Sequence, residues 1–113
     1  MYHYSCQILR VIDGDTVEAN IDLGFNCWYR SAVRLKGIQA PELTGASHKE
    51  GIASKEYLGK LILREPIEIR TELRKDKDKY GRVLGMLYAG GVDVNAAMLD
   101  AGHAVEYPVK YLK

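Results

Sequence analysis

Little in the composition of this chain declares a class. It has two cysteines in 113 residues, Cys6 and Cys27, and neither stands in a Cys-x-x-Cys or Cys/His metal pattern. Free cysteine behaves as a small apolar residue, so both are expected to be buried thiols rather than a disulfide. No apolar run is long enough to cross a bilayer. The first residues lack the basic-then-apolar signature of a signal segment, so a cytoplasmic location is expected unless a leader has been removed. Charge of one sign is missing as well. Sixteen Lys and Arg against fifteen Asp and Glu leave a net charge of +1 and a pI of about 7.8. Binding to a polyanion would have to come from a local cluster, because the global field does not supply it. Repeats, low-complexity stretches and linkers are absent, which predicts a single domain over 1–113 and a monomer. What is present is enough for one core: 47% of the residues are apolar, which excludes a disordered chain.

The first half reads as β structure. Tyr2, Tyr4, Cys6 and Ile8 alternate with other residues, and Val17, Ala19, Ile21 and Leu23 alternate with Glu18, Asn20 and Asp22. Period two marks half-buried strands. Gly14 supplies a turn between the first two strands and places Asp13 and Asp15 at its mouth. A third strand is expected over roughly 28–38, after a turn at Gly24-Phe25-Asn26. Phe25, Trp28 and Tyr29 are expected in the barrel wall or core. Pro41 ends strand pairing because it has no N–H. Ser47-His48-Lys49-Glu50 has the form of a capping box, and Ala53, Tyr57, Leu58, Leu61 and Ile62 recur at helical spacing. This predicts a helix over about 47–63, stopped before Pro66. Ile67 to Leu73 and Val83 to Tyr88 return to strand, and a short helix follows, capped by Asp93 and ended by Gly102. The order β-β-β-α-β-β-α suits an α+β protein of OB-fold type, a five-stranded barrel with two helices.

Three segments concentrate polar residues that a barrel does not need for stability: Asp13-Gly14-Asp15-Thr16, Arg34 to Glu42, and Asp78-Lys79-Tyr80-Gly81-Arg82. Each has an ordinary explanation alone: a turn, an outward strand charge, a charged hairpin tip. Together they form a chemical set. Cleaving a phosphodiester needs a cation on the phosphate oxygens, a positioned water, and donors for the developing negative charge. Asp15, Asp13 and a carbonyl near Ala40 could serve a hard cation. Arg34 and Arg82 could grip phosphate through planar, always-charged forks. Glu42 could orient or deprotonate the water. Arg74, Lys75, Lys77, Lys79 and Arg82 form a basic cluster that could draw in a polyanion beside such a site. His3, His48 and His103 show no metal spacing.

The same three segments resemble the staphylococcal nuclease-like, or thermonuclease, family. The matching text is Val11-Ile12-Asp13-Gly14-Asp15-Thr16-Val17, then Arg34-Leu35 through Ala40-Pro41-Glu42, then Asp78 to Arg82, with Val94-Asn95 and Gly102 as a weaker fourth element. The resemblance runs from about Ile8 to Val105. It implies an OB-fold and calcium-dependent cleavage of DNA and RNA with little sequence preference, leaving 3′-phosphate and 5′-hydroxyl ends. Carried over by motif position, Asp15 is implied as a calcium ligand and Asp13 as a neighbour of the metal. Arg34 and Arg82 are implied as the phosphate arginines, and Glu42 as the residue acting on water. Lys79 and Tyr80 would lie beside the nucleotide. Tyr107 or Tyr111 would either pack on a base or simply pack on the protein.

Gln39 departs from the family pattern, which places a second calcium-binding aspartate there. Its amide oxygen can still ligate but brings no charge, so calcium is expected to bind more weakly than in a typical member. Ala40 replaces a common threonine but keeps the main-chain carbonyl expected at the metal. Two further readings stand beside the nuclease: a catalytically weakened barrel that binds nucleic acid or a protein, and a purely structural domain.

Overall fold

The computed structural model describes residues 2–71 and 81–107. Three long strands form a meander: β1 (Tyr2–Asp13), β2 (Thr16–Gly24) and β3 (Cys27–Leu35). After β4 (Ile38–Gln39), a 3-10 turn (Gly45–Ser47) leads into α1 (His48–Leu61). Strands β5 (Ile67–Thr71) and β6 (Val83–Ala89) follow, then β7 (Val92–Asp93), α2 (Val94–Asp100) and β8 (Val105–Glu106). The main sheet has the order β3-β2-β1-β5-β6-β7, and β3 also pairs with β6. That last pairing is parallel, with Val33 opposite Val83 and Leu35 opposite Gly85. It closes β1, β2, β3, β5 and β6 into a five-stranded barrel of OB type. Closure is helped by β1, which pairs with β5 over Tyr2–Ser5 and with β2 from Cys6 onward. Register shifts after Ile8 and after Val11 bend it between these two partners, as bulges do.

The period-two residues of the sequence make the core. Val17, Ala19, Ile21, Val33, Leu35, Ile69, Val83 and Leu87 have no exposed surface, and Leu58 of α1 and Met98 of α2 close the barrel. Asn95 joins the layers. It is buried, accepts a hydrogen bond from the Leu87 N–H (3.1 Å), and donates through Nδ2 to the carbonyls of Lys36 (2.8 Å) and Gly85 (3.3 Å). One amide thus ties α2 to β6 and to the turn that follows β3.

Four expectations are corrected. The third strand ends at Leu35, and Lys36 and Gly37 turn the chain before the short β4, with Gly37 at a φ of 83° that favours glycine. The capping box does not form: the Ser47 hydroxyl donates to the Glu42 carbonyl (3.2 Å) instead of capping α1, because the preceding 3-10 turn already directs the chain into the helix. Cys6 is buried, but Cys27 is exposed, and both are free. Phe25, Trp28 and Tyr29 are not core residues. They stand out at the β2–β3 hairpin, with Phe25 fully exposed, because β2 and β3 run on beyond the barrel wall there. Asp93 does cap α2, accepting from the Ala96 N–H at 3.0 Å.

Candidate active site

The site is built at the Asp13–Thr16 turn. Asp13 accepts a hydrogen bond from the Asp15 N–H (3.0 Å), the local bond that makes Asp a turn residue. Gly14 is required here for space. A Cβ built on it would lie 2.7 Å from the Ala40 Cβ and would also strike Ser54 of α1. The turn is therefore clamped between α1 and the loop carrying Ala40. Ser54 is fully buried and donates to the His103 carbonyl (2.8 Å), fixing the helix to the chain that leads into β8.

Asp15 is the hub. Its Oδ1 accepts from the Thr16 hydroxyl (2.8 Å), and its Oδ2 accepts from the Ala40 N–H (2.8 Å). Its own carbonyl accepts from the Leu35 N–H (2.8 Å). Arg34 lies opposite Thr16 in the β2–β3 register, which brings its Nη2 to 3.5 Å from Asp15 Oδ2. Both side chains are only 11% exposed. Arg34 Nη1 also donates to the Leu35 carbonyl at 2.8 Å, so the guanidinium is held at two points. Its remaining face lies over the Tyr107 ring, 5.6 Å from the centroid, within range of a cation–π contact. Tyr107 reaches that position because β8 pairs with β4 and its N–H donates to the Gly37 carbonyl (2.9 Å).

Arg34 offsets Asp15, whereas Asp13 has no ion-pair partner of its own among the described residues. Burial pushes the Asp13 carboxyl up to about 6, helped by its hydrogen bond to the Asp15 carboxylate and by repulsion between the two. The Asp15 N–H and the Thr16 hydroxyl pull it the other way without overcoming burial. Two facing carboxylates out of bulk water favour a proton or a cation between them. The pair therefore fits a divalent ion in part. No group of three or more His, Cys, Asp or Glu side chains converges among the described residues, so the remaining ligands would be neutral oxygens or water.

The other residues singled out in the sequence take these places. Gln39 is exposed in β4 and pairs with Val105. It lines a cleft of about 220 Å³ with Ala40, Pro41 and the 102–105 segment. Ala40 is buried, and its N–H serves Asp15. Glu42 is exposed just beyond, and its carboxylate has no hydrogen-bond or ion-pair partner among the described residues. Arg82 stands immediately before β6, whose Leu84 pairs with Arg34, so both arginines belong to one edge of the barrel. Asp78, Lys79, Tyr80 and Tyr111, and the basic residues Arg74, Lys75 and Lys77, lie outside the described residues. Sequence reasoning passed over Thr16 and Ser54. Thr16 could have been noticed as the hydroxyl next to Asp15, whereas nothing in the helix sequence marks Ser54.

Comparison with known proteins decides the family. The family described as "Staphylococcal nuclease homologue" matches residues 32–112, a span that includes Arg34, Gln39, Glu42 and Arg82. The chain belongs to the staphylococcal nuclease homologue family. Among curated relatives of this nuclease-like chain, a micrococcal nuclease of Shigella flexneri is 32% identical over 110 residues, covering 89% of this chain and 57% of that protein. An endonuclease of Escherichia coli, described as uncharacterized, is 34% identical over 104 residues, covering 89% of this chain and 60% of that protein. A similarly described endonuclease of Haemophilus influenzae is 30% identical over 107 residues, covering 91% of this chain and 52% of that protein. The chain therefore spans rather more than half the length of these relatives. Among the described residues no helix is long and apolar enough to cross a membrane.

Proposed function

We propose that this protein is a calcium-dependent endonuclease acting on DNA, RNA or both with little sequence preference. The single observation that carries the reading is the corner where Asp13, Asp15 and Arg34 meet, with the exposed Glu42 two residues beyond Ala40, whose N–H bonds Asp15. A structural role gives little reason to hold the half-buried Asp13 against the Asp15 carboxylate, because Arg34 pairs with Asp15 alone.

In the proposed reaction Asp15 and Asp13 would hold the ion, with the Gln39 amide oxygen and the Ala40 carbonyl as neutral ligands. The bound ion would supply charge neutralisation at the phosphate and lower the cost of activating water. Arg34, already oriented by the Leu35 carbonyl, presents its guanidinium to a phosphate oxygen, and Arg82 joins it from just before β6. Glu42 accepts a proton from the attacking water, whose oxygen bonds to phosphorus. The bond from phosphorus to the 5′ oxygen breaks, that oxygen takes up a proton from solvent, and the products are a 3′-phosphate and a 5′-hydroxyl. Lys79, Tyr80 and Tyr111 are assigned to the substrate strand, and Tyr107 to a base or to holding Arg34. Recognition through backbone phosphates carries no sequence information, which accounts for the low specificity proposed.

The test is incubation of end-labelled single- and double-stranded DNA and RNA with calcium, magnesium or a chelator. The reading expects cleavage in calcium that the chelator abolishes. Binding without cleavage under every metal would instead support a catalytically weakened binding module, the reading that neutral Gln39 favours.

A further inference from the structure

Strand β3 carries a feature that this chemistry does not use. Its register with β2 is unbroken from Trp28 to Arg34: Trp28 lies opposite Asp22, Arg30 opposite Asn20, Ala32 opposite Glu18 and Arg34 opposite Thr16. Side chains alternate along a strand, and Val33 and Leu35 fill the core. Trp28, Arg30, Ala32 and Arg34 therefore share the outer face. Six residues at about 3.3 Å each put Trp28 roughly 20 Å along that face from Arg34.

The far end of this line is unusual for a protein surface. Trp28 is 47% exposed, and Phe25 beside it is wholly exposed at a φ of 57°, a region that bulky side chains rarely adopt. Between the two ends lies positive charge. Arg10 and Arg30 flank Glu18, each held through Nε at 3.1 Å, and both arginine side chains are about two-thirds exposed. Glu18 thus holds two guanidiniums outward, and the trio keeps a net positive charge. Ala32 leaves the strand face low between Arg30 and Arg34.

We propose that the outer face of β3 is a binding track for an unpaired nucleic-acid strand, with Trp28 as a base-stacking platform at its far end. Arg34 would take the phosphate to be cleaved, as in the nuclease reading on which this proposal rests, and Arg30, with Arg10 beside it across Glu18, would take neighbouring phosphates. The spacing fits the ligand. A stacked strand advances about 3.4 Å per nucleotide, so roughly six nucleotides cover the distance from Arg34 to Trp28, and fewer if the strand is extended. An aromatic face accepts any base, but only an unpaired base can lie flat on it. The polyanion is also the occupant that the charge pattern suits. Arg30 and Arg34 stand on this face of β3, and Arg10 lies beside Arg30 across Glu18, so the positive charge is on the barrel wall between Arg34 and the tip rather than around the apolar tip, where Asp22 lies opposite Trp28.

Trp28 is the one tryptophan of the chain, so its fluorescence reports directly on this end of the track. The full chain in chelator is titrated with a thymidine dodecamer, a thymidine dinucleotide and a duplex dodecamer, with binding followed separately by anisotropy of labelled DNA. The single-stranded dodecamer should quench Trp28, and neither the dinucleotide nor the duplex should do so. With three phosphates held, affinity should fall about 20-fold between roughly 50 and 200 mM salt. Trp28→Leu, at an exposed position, should keep its melting temperature and weaken dodecamer binding about 10-fold, the scale of one lost stack. Dodecamer binding with unchanged Trp28 emission overturns the proposal. So does equal quenching by the dinucleotide, or a response only to phosphatidylglycerol vesicles or to protein concentration. Cleavage in calcium with a silent Trp28 removes the track and leaves the hydrolytic reading intact; quenching by the dodecamer without cleavage in any metal does the reverse.

Discussion

Replacing Gln39 with aspartate adds a third carboxylate to a corner that holds two. Gln39 sits in β4 next to Ala40, whose N–H bonds Asp15, and in the proposed calcium site a carboxylate there would share the ion with Asp15 and Asp13. Position 39 is exposed, so at a dielectric of about 80 a unit charge about 4 Å from a divalent ion gains about 2 kcal/mol. Repulsion from the two existing carboxylates is present with and without the ion and cancels from the binding free energy. The gain of about 2 kcal/mol corresponds to calcium binding about 30-fold tighter in Gln39→Asp. Gln39 is exposed, and salt screens exposed charges, so the gain should shrink as ionic strength rises. Isothermal titration of calcium into both proteins at low salt measures it, with Gln39→Asn as the control for side-chain length. Unchanged affinity in Gln39→Asp would refute the reasoning, because it would place the ion elsewhere or show that position 39 does not face it.

Other outcomes follow from the same geometry. Gly14→Ala forces a methyl against Ala40 and Ser54, and overpacking of this kind costs about 1–3 kcal/mol; chemical denaturation should show that loss together with weaker calcium binding. Asn95→Leu removes a buried amide and leaves the Leu87 N–H and the Lys36 carbonyl unpaired, for which urea unfolding should report a loss of about 2–4 kcal/mol. Burial raises the folded-state Asp13 carboxyl to about 6, above its ordinary value of 3.8. Its contribution to the stability of the metal-free protein is therefore full below about 3.8 and is lost as pH rises through about 6. Asp13→Asn should flatten that part of the melting-temperature profile. Protons and calcium compete for the same pair, so calcium affinity should fall as pH drops below about 6, as titration at pH 7.5 and 5.5 would show.

The barrel could be read from the sequence because its inward residues keep period two over whole strands. Val17, Ala19 and Ile21 are fully buried where the alternation places them. Apolar character alone put Phe25, Trp28 and Tyr29 in the barrel wall or core, and they stand out at the hairpin instead. Period two and apolar character give the face of a strand, but they do not say where that strand leaves the barrel wall. The capping box failed for a related reason: a four-residue pattern competes with the turn before it, and Ser47 was already bonded to the Glu42 carbonyl. At the site, the motifs named the residues that meet, Asp13, Asp15, Ala40 and Arg34. They could not supply the packing behind them. Gly14 was legible as a turn residue, yet its tight fit against Ser54 is a contact forty residues distant in the chain. Asn95 stood out only as part of a resemblance, and its three bonds to β6 and to the turn after β3 arise from tertiary packing. Tyr107 was left between base packing and protein packing, and the pairing of β4 with β8 brings it over Arg34 while 49% of its surface stays exposed.

The proposal that Asp15, Arg34 and Glu42 together perform the chemistry is tested most directly at Glu42. Its exposed carboxylate has no partner among the described residues, so Glu42→Gln should leave the fold and calcium binding as they are. Cleavage of a labelled single strand in saturating calcium, compared between wild type and Glu42→Gln with matched melting temperatures, is the measurement. The account predicts a kcat lower by about 100- to 10,000-fold with substrate binding nearly unchanged. Equal kcat in the two proteins would contradict it.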